Sequence, residues 1–239
     1  MKGVIHQPHF LPWLGYFNKL ANADIFVILD NVQYRKHYFQ SRTLIINKNN
    51  LNKFWLTVPV KHNINTLIKD VYIAKNNWKT KLTNTLYHNY RQSDYFDIYY
   101  PELRDTIFNS ESDIVSIDEN LIQFILKKLD INIQIKRASS FEKQESATRD
   151  LIFLCKQNNI NEYIFGEGGG IKYHGLELFK KNDIKTYQQR YAEILNTEEF
   201  SIHNKNIHNL SILEYLFYKD IDWLKSKIKV NTLQKAGTT

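Results

Sequence analysis

The sequence predicts an α/β fold, with a largely parallel Rossmann-like sheet, flanking helices and a helical annex. Short apolar runs alternate along the chain with segments whose apolar residues recur at helical spacing, which favours strands alternating with helices. Polar residues follow several of these runs directly, and one run leads straight into a glycine-rich segment. We therefore expect all 239 residues to form one α/β domain. The helical annex is expected at roughly 76–130 and C-terminal helices at roughly 209–230.

The opening of the chain predicts a strand, a turn, a helix and a second strand. A short apolar run comes first, and Pro12 suits the first turn of the helix because its missing N–H is not needed there. The helix is indicated by apolar residues at helical spacing: Leu14, Phe17, Leu20 and Ala21. The second apolar run covers residues 25–29. Parallel strands end at one sheet edge, where open α/β sheets bind ligands, so we expect His6, Asp30 and Gly168 near one another there.

The middle of the chain predicts two strands followed by helices. Residues 53–60 and 71–73 have the composition of strands, with Pro59 near the end of the first. Three helix signals follow. The first is an apolar stripe spaced by four, formed by Trp78, Leu82, Leu86 and Tyr90. The second is Pro101, which suits the start of a helix, and the third is the capping-box spacing of Ser116 and Glu119. These helices make up the predicted annex.

The C-terminal half returns to alternating strands and helices. Strands are predicted at residues 133–135, 163–165 and 184–187. Helices are predicted in three places: after a cap at Ser146 or Thr148, through Leu176 and Phe179, and from residue 210 onward. The tail from residue 234 to 239 is small and polar, and we expect it to be frayed.

Composition excludes some classes of protein and leaves one question open. No apolar run approaches the roughly 20 residues that span a bilayer, and no secretory signal is evident. We therefore expect no stable membrane insertion and a cytoplasmic protein. The single cysteine, Cys155, is expected to be buried and cannot form an internal disulfide. The net charge of +7 favours polyanionic partners, although the scattered lysines also fit a genome-wide compositional bias.

Two histidines follow the first predicted strand. His6 stands at the strand end, before a proline-constrained turn, which suits acid–base chemistry or hydrogen bonding to a substrate. The alternative is a histidine whose ring is satisfied within the fold, and for His9 this alternative is the stronger reading. A zinc site needs three or four ligands, and no compact set of histidines and cysteines supplies them, so we expect no metal.

A mixed polar cluster follows the second predicted strand. The segment from Asp30 to Lys36 brings together a carboxylate, an amide, the phenol of Tyr34 and two cations, Arg35 and Lys36, and Arg42 extends the cluster. Such a mixture suits a sugar or a nucleotide, since hydroxyls need paired donors and acceptors and phosphates need cations. Arg42 is the first candidate for a phosphate because its guanidinium is two-pronged. The alternative is an aspartate-capped turn with solvated lysines.

The segment GEGGG, residues 166–170, follows a predicted strand and precedes a helix. Backbone N–H groups in such loops cradle anions, and Gly168 and Gly169 would let a substrate approach the backbone closely. The segment is not a Walker motif, and Glu167 would repel a phosphate beside it. A flexible turn is the alternative.

Long stretches of the chain resemble the WbqC-like family, in order and over nearly the whole length. The matching runs are IHQPHFLPWLGYF, ADIFVILDNVQYRKHYFQSR, WLTVPV, ESATRDLIFLCKQNNINEYIFGEGGGIKYH and LSILEYLF. The family's marked positions fall here on His6, Gln7, Pro8, Pro12, Trp13, Gly15, Asp24, Asp30, Gln33, Arg42, Gly169 and Tyr173. The chain departs from the family pattern at Ser41 and Thr43, where asparagines are expected, and at Phe165, where serine is usual.

The resemblance implies a role in making or modifying a nucleotide-linked sugar, because the family occurs among genes for the synthesis of bacterial O-antigen and other surface polysaccharides. The leading hypothesis is a transferase that adds an acyl or aminoacyl group, such as glycyl, to the amine of a nucleotide-linked amino sugar. His6 would remove the proton of the sugar ammonium or shuttle it, and Asp30 would orient His6 or the amine. Sugar and diphosphate would be bound by the remaining candidates: Gln7, His9, Gln33, Tyr34, Lys36, Arg42, Gly168, Gly169 and Tyr173. No cofactor is expected to be bound tightly, and the donor would be an acyl-carrier protein or an aminoacyl-tRNA.

Two alternatives stay open. The opening unit faintly resembles the nucleotidyltransferase superfamily, although Leu14 and Gly15 stand where its second histidine would be, and this implies ATP-dependent nucleotidyl transfer or ligation. The other alternative is a non-catalytic subunit that binds a sugar nucleotide.

Overall fold

In the computed structural model, the chain is an α/β protein built on a six-stranded, mostly parallel sheet, as the sequence predicts. The structure describes residues 1–144, 146–166, 175–191, 195, 200–203 and 209–236. The strand order in the sheet is β10-β9-β8-β1-β2-β7, and only β10 runs antiparallel to its neighbour. None of the described helices combines the length and the apolar character needed to cross a bilayer.

The described strands are β1 (Lys2–His6), β2 (Ile25–Ile28), β3 (Arg42–Ile46), β4 (Lys53–Thr57), β5 (Val60–Lys61), β6 (Tyr72–Ile73), β7 (Gln134–Arg137), β8 (Glu162–Phe165), β9 (Lys185–Gln189) and β10 (Leu233–Lys235). The described α-helices are α1 (Leu14–Ala21), α2 (Trp78–Tyr90), α3 (Phe96–Phe108), α4 (Ile114–Lys128), α5 (Ala147–Gln157), α6 (Leu176–Lys180), α7 (Ile212–Tyr218) and α8 (Ile221–Ile228). Outside the main sheet, β3 pairs with β4 and β5 pairs with β6, both antiparallel.

Alternate side chains of the central strands fill two cores, one on each face of the sheet. Val4 and Phe26 belong to the larger core, which also takes up helices α1 to α4. Ile5 and Val27 point the other way, into a smaller core that includes residues of α5. Strand side chains alternate between faces, so two neighbouring residues on one buried strand serve both cores.

The parallel register brings several polar residues to one edge of the sheet. His6 ends β1 and pairs in register with Ile28 of β2. Asp30 follows β2 by two residues, and Gly166 comes directly after β8, which also runs parallel to β1. The three residues therefore lie at the carboxyl edge, where ligands bind in open α/β sheets. Gly168 lies outside the described residues.

Several element boundaries differ from the sequence prediction. Pro12 precedes α1 instead of occupying its first turn, because Trp13 takes the N-cap position. Pro101 lies inside α3, which starts five residues earlier. The cap of α4 is Asp113, whose carboxylate accepts a hydrogen bond from the backbone N–H of Ser116, so the predicted capping box is wrong.

Two further differences concern strands. The predicted strand at 53–60 is two strands, since β4 ends at Thr57 and Pro59 interrupts the ladder before β5. The tail is not frayed throughout, because β10 pairs with β9 at the edge of the main sheet. The predictions of Ser146 as the cap of α5 and of a buried Cys155 are confirmed.

Candidate functional site

A cleft opens at the carboxyl edge of the sheet, directly above the ends of β1 and β8. Its volume is about 440 Å³. We call it the imidazole cleft. Its lining residues come from the turn after β1, from α1, from the segment before β3, and from three C-terminal segments: His6, His9, Trp13, Gly15, Tyr16, Lys19, Tyr38, Phe39, Gly166, Gln189, Tyr191, Leu195 and Asn209.

The turn between β1 and α1 is held in an unusual backbone conformation. Leu11 has φ of 44°, in the left-handed region that is costly for a side chain of this size. Its carbonyl accepts hydrogen bonds from the hydroxyls of Thr43 and Ser211, each at 2.9 Å. Gly15 lets the helix start pack closely, because a Cβ there would lie only 3.2 Å from Trp13 Nε1. Residues far apart in the chain thus fix the turn that presents the two histidines.

The His6 ring stands at the strand end, and its Nε2 has no hydrogen-bond partner among the described residues. Its Nδ1 lies 3.0 Å from the carbonyl oxygen of Gln7, which also accepts the hydroxyl of Tyr16 at 3.1 Å. A carbonyl can only accept, so Nδ1 carries the proton and Nε2 keeps a lone pair. Burial, and then the charges of Lys19 and His9, hold the pKa of His6 well below its usual value, against the effect of the Gln7 carbonyl. His6 is therefore a neutral imidazole near pH 7.

His9 is buried and enclosed by aromatic rings. It is 2% exposed, and neither ring nitrogen has a hydrogen-bond partner among the described residues. The rings of His6, Trp13 and Phe39 lie with their centroids 4.9, 5.3 and 5.6 Å from its own. Burial, followed by the charge of Lys19, lowers the pKa of His9 to about 3. Since both imidazoles are neutral, the cleft can donate and accept hydrogen bonds without fixed charge from either ring.

Lys19 is the residue that our sequence reasoning missed. It is 3% exposed, and its ammonium has no ion pair or hydrogen bond within the described part of the chain. Its Nζ lies 5.7 Å from the centroid of the Tyr16 ring, and a Cβ on Gly166 would lie 3.7 Å from the same atom. Burial lowers the pKa of Lys19 to about 7, so both the amine and the ammonium are present near neutral pH.

A buried amide network fixes the helix turn that carries Lys19. The side-chain amide of Gln189, on β9, donates to the carbonyl of Gly15 and to Asn18 Oδ1, both at 2.7 Å. Asn18 also accepts from the hydroxyl of Thr232 at 2.7 Å and donates to the carbonyls of Ile228 and Val230. Lys19 directly follows Asn18, so the network locks the backbone from which the amine reaches the cleft.

Asp30 lies at the same edge but is engaged elsewhere. One carboxylate oxygen accepts the backbone N–H of Ser139 at 2.8 Å and the other accepts the Ser139 hydroxyl at 2.6 Å. Ser139 follows β7, the strand on the far side of β2 from β1. The structure thus places Asp30 with Ser139, and Asp30 is not among the residues that line the cleft.

The polar cluster after β2 forms a second, more open depression of about 1200 Å³. We call it the polar groove, and its lining residues are Gln33, Tyr34, Lys36, His62, Asn63, Ile64, Asn65, Thr66, Leu67 and Asp70. Two of its polar side chains are already occupied. The Gln33 amide donates to the carbonyl of Ile64 at 2.6 Å, and the Tyr34 hydroxyl lies 2.6 Å from Ser41 Oγ. The predicted substrate-binding residues are therefore divided between two sites.

The remaining predicted residues have varied surroundings. The Gln7 side chain accepts a hydrogen bond at 2.8 Å from Gln40, whose side chain is buried. Arg42 lies with its guanidinium 4.0 Å from the centroid of the Trp55 ring and donates to the carbonyl of His37. The predictions for Gly168, Gly169 and Tyr173 lie outside the described residues. Among those that are described, no three histidine, cysteine, aspartate or glutamate side chains form a group that could hold a metal ion.

Comparisons with known proteins cover most of the chain. A family model described as the WbqC-like protein family matches residues 7–225. A protein of Mycobacterium tuberculosis (strain ATCC 25618 / H37Rv), named uncharacterized protein Rv1507c, is 28% identical over 172 residues, which cover 69% of this chain and 72% of that protein. No solved structure matches the chain. The range matched by the family model includes the turn after β1, helix α1 and strand β8, all of which border the imidazole cleft.

Proposed function

The chain belongs to the WbqC-like protein family, and on this premise we propose that it is a transferase acting on a nucleotide-linked amino sugar. The reaction would join an acyl or aminoacyl group, such as glycyl, to the sugar amine during synthesis of a bacterial surface polysaccharide. The single observation that carries the proposal is the buried Lys19 amine, which has no partner among the described residues and a pKa lowered to about 7, in a cleft whose two imidazoles are neutral.

Amide formation needs a base of this strength. A sugar amine arrives mostly as an ammonium ion, and it becomes a nucleophile only after it loses a proton. A buried lysine whose pKa is lowered to about 7 is half deprotonated at neutral pH, which suits a general base. His6 is a weaker base because its pKa is held well below that of a free imidazole. We therefore assign proton removal to Lys19 and hydrogen bonding to His6 Nε2.

The steps balance without a further reactant besides an activated acyl donor. Lys19 takes a proton from the sugar ammonium, and the freed amine attacks the carbonyl carbon of a thioester or an aminoacyl ester. A C–N bond forms and the C–S or C–O bond of the donor breaks. Lys19 returns its proton to the leaving thiolate or alkoxide, and the attacking nitrogen loses its second proton to water, which leaves a neutral amide. A covalent cysteine intermediate is not supported, because Cys155 is buried in the core on the other face of the sheet and burial raises the pKa of its thiol to about 12.

The test is direct product analysis. The full chain is incubated with nucleotide-linked amino sugars and, in turn, with acyl-carrier-protein thioesters, coenzyme A thioesters and aminoacyl-tRNAs, and amide products are detected by mass spectrometry. We expect one donor class to give an amide with the unmodified chain. Release of pyrophosphate or ADP from added ATP would support ligation instead. Binding of the sugar nucleotide without turnover for any donor would support the binding-subunit alternative and overturn the proposal.

A further inference from the structure

We propose that Trp55, Arg42 and Phe39 form a stacking subsite for the nucleobase of a nucleoside diphosphate, at the mouth of the imidazole cleft. This inference deepens the proposed function and rests on it, since it names where the nucleotide part of the substrate lies. Three features of these residues support it: an exposed ring beside a planar cation, a continuous path of rings into the cleft, and a rigid backbone beneath that path.

The ring of Trp55 is available to a ligand. It lies on β4 and is 39% exposed, although Arg42 and Phe39 both contact it. The Arg42 guanidinium is 4.0 Å from the ring centroid and is anchored by the carbonyl of His37. Nucleobases stack on indole rings and on guanidinium planes, so either surface of this pair can hold a base.

A chain of ring contacts leads from Trp55 to the proposed reaction centre. The Phe39 centroid lies 5.5 Å from that of Trp55 and 5.6 Å from that of His9, and His9 lies 4.9 Å from His6. Phe39 also lines the imidazole cleft. A base on Trp55 is thus three ring contacts from His6, a span that a ribose, two phosphates and a sugar can bridge.

The charges beside this path suit a diphosphate. The Arg35 guanidinium lies 5.6 Å from the centroid of Tyr38, another ring of the cleft, and Arg42 lies over Trp55. Neither arginine forms an ion pair within the described residues. Two guanidinium groups, neither paired with a carboxylate of the described residues, therefore lie beside the rings between which the phosphates would pass.

The segment that carries Phe39 is fixed before any ligand arrives. The backbone N–H of Phe10 donates to the Phe39 carbonyl at 2.8 Å, and the Gln40 amide donates to the Gln7 side chain at 2.8 Å. Because the path is already ordered, little conformational freedom is lost when a nucleotide binds.

The chain offers a matched control. Tyr87 on α2 is 40% exposed and has its own arginine, Arg91, 5.8 Å from its ring centroid. It therefore resembles Trp55 in exposure and in its cation partner, but it is not among the residues that line the imidazole cleft.

The experiment measures equilibrium binding to the full chain for UDP, dTDP, CDP, GDP and ADP, and for glucosamine 1-phosphate as a probe without a base. The proteins are the unmodified chain, Trp55→Ala, Trp55→Phe and Tyr87→Ala. We expect at least one diphosphate to bind. Trp55→Ala should weaken it by roughly tenfold or more, whereas Trp55→Phe and Tyr87→Ala should stay within about threefold. Binding of glucosamine 1-phosphate should be unchanged in Trp55→Ala, which separates loss of stacking from damage to the fold.

The outcomes distinguish this subsite from the proposed reaction. If no diphosphate binds, or if Trp55→Ala binds each as tightly as the unmodified chain, the subsite is overturned even where amide product forms. If binding depends on Trp55 and no donor gives an amide, the subsite stands and the transferase proposal fails.

Discussion

The imidazole cleft and the polar groove both take residues from the opening stretch of the chain, yet polar side chains in the two places differ in whether the protein itself supplies their hydrogen-bond partners. In the cleft, Lys19 and both nitrogens of His9 lack hydrogen-bond partners among the described residues. In the groove, Gln33 and Tyr34 are hydrogen-bonded to neighbouring parts of the protein. Gln33 and Tyr34 must break an internal hydrogen bond before they engage a substrate, whereas Lys19 and the His9 nitrogens have no such bond to any described residue.

Buried polar residues fall into two kinds, those with a hydrogen-bond partner and those without one. A buried polar group without a partner costs free energy, so its presence at the wall of a cleft indicates a use beyond stability. A satisfied group is explained by the fold itself. Asn18 shows the second case, because its buried side chain accepts from Gln189 and Thr232 and donates to the carbonyls of Ile228 and Val230.

The largest expected effect comes from removing the amine in the cleft. Lys19→Met keeps an unbranched side chain of similar length, and turnover in the amide-forming assay should fall by about a hundredfold or more. Its melting temperature near pH 6 should not fall, because the substitution removes a buried charge. Lys36→Met in the groove is the control, and its turnover should stay within about twofold. Full turnover in a folded Lys19→Met protein would contradict the assignment of proton removal to Lys19 in the cleft.

Both kcat/KM and stability should depend on pH through the titration of Lys19. As the proposed base, the lysine must be neutral, so kcat/KM should rise by up to about tenfold per pH unit below pH 7 and level off above it. The free energy of unfolding should also depend on the protonation of Lys19. The pKa is lower in the folded than in the unfolded state, so the unfolded state binds more protons above pH 7, and stability rises from there toward the usual lysine pKa. Denaturant titrations across this range should show no such rise for Lys19→Met.

A smaller effect is expected at Asp30. Asp30→Asn disturbs the two hydrogen bonds from Ser139 and should cost about 1–3 kcal/mol of unfolding free energy, since both partners are at least partly buried. Turnover should change by no more than a few-fold, because the carboxylate does not line the cleft. Urea denaturation and the amide assay measure the two quantities. A hundredfold loss of turnover with little change in stability would return Asp30 to a catalytic role.

The smallest effect belongs to the groove. Tyr34→Phe removes the hydrogen bond to Ser41 and should cost roughly 0.5–1.5 kcal/mol of stability, with affinity for the sugar nucleotide unchanged. Tyr72→Phe is the matched control, since its ring is exposed and its stability should stay within about 0.5 kcal/mol of the unmodified chain. A clear loss of affinity in Tyr34→Phe would show that the groove also takes part in binding.

The sequence predicts the edge of the sheet better than it predicts the groups that are free there. Apolar runs and the direction of parallel strands are local or topological signals, so the positions of His6 and Asp30 at one edge follow from them. The availability of each group depends on neighbours that are distant in the chain. Asp30 accepts hydrogen bonds from Ser139, which follows β7. The sequence around Asp30 gives no sign that β7 lies beside β2.

Lys19 illustrates the same limit. A lysine on a short helix ordinarily extends into solvent, and its burial here depends on β8, β9 and the C-terminal segment that holds Asn18. One local signal was present, since Lys19 stands three positions after Tyr16 in a helix whose other residues are mostly apolar. Ser41 and Thr43, which depart from the family pattern, form internal hydrogen bonds with Tyr34 and the Leu11 carbonyl, contacts that only the folded chain shows.

The two hydroxyls on the Leu11 carbonyl also set an order of events during synthesis of the protein. The first hydroxyl, on Thr43, is 32 positions away and emerges from the ribosome soon after the turn. The second, on Ser211, is 200 positions away, so the nascent chain carries every ring of the turn long before the group that completes its hold. Chains are made at about 5–20 residues per second, which leaves roughly ten seconds or more in which the turn has only one of its two supports. A chain released before residue 211 would lack the Ser211 hydroxyl and would therefore hold the turn that carries the histidines by one hydrogen bond to the Leu11 carbonyl instead of two.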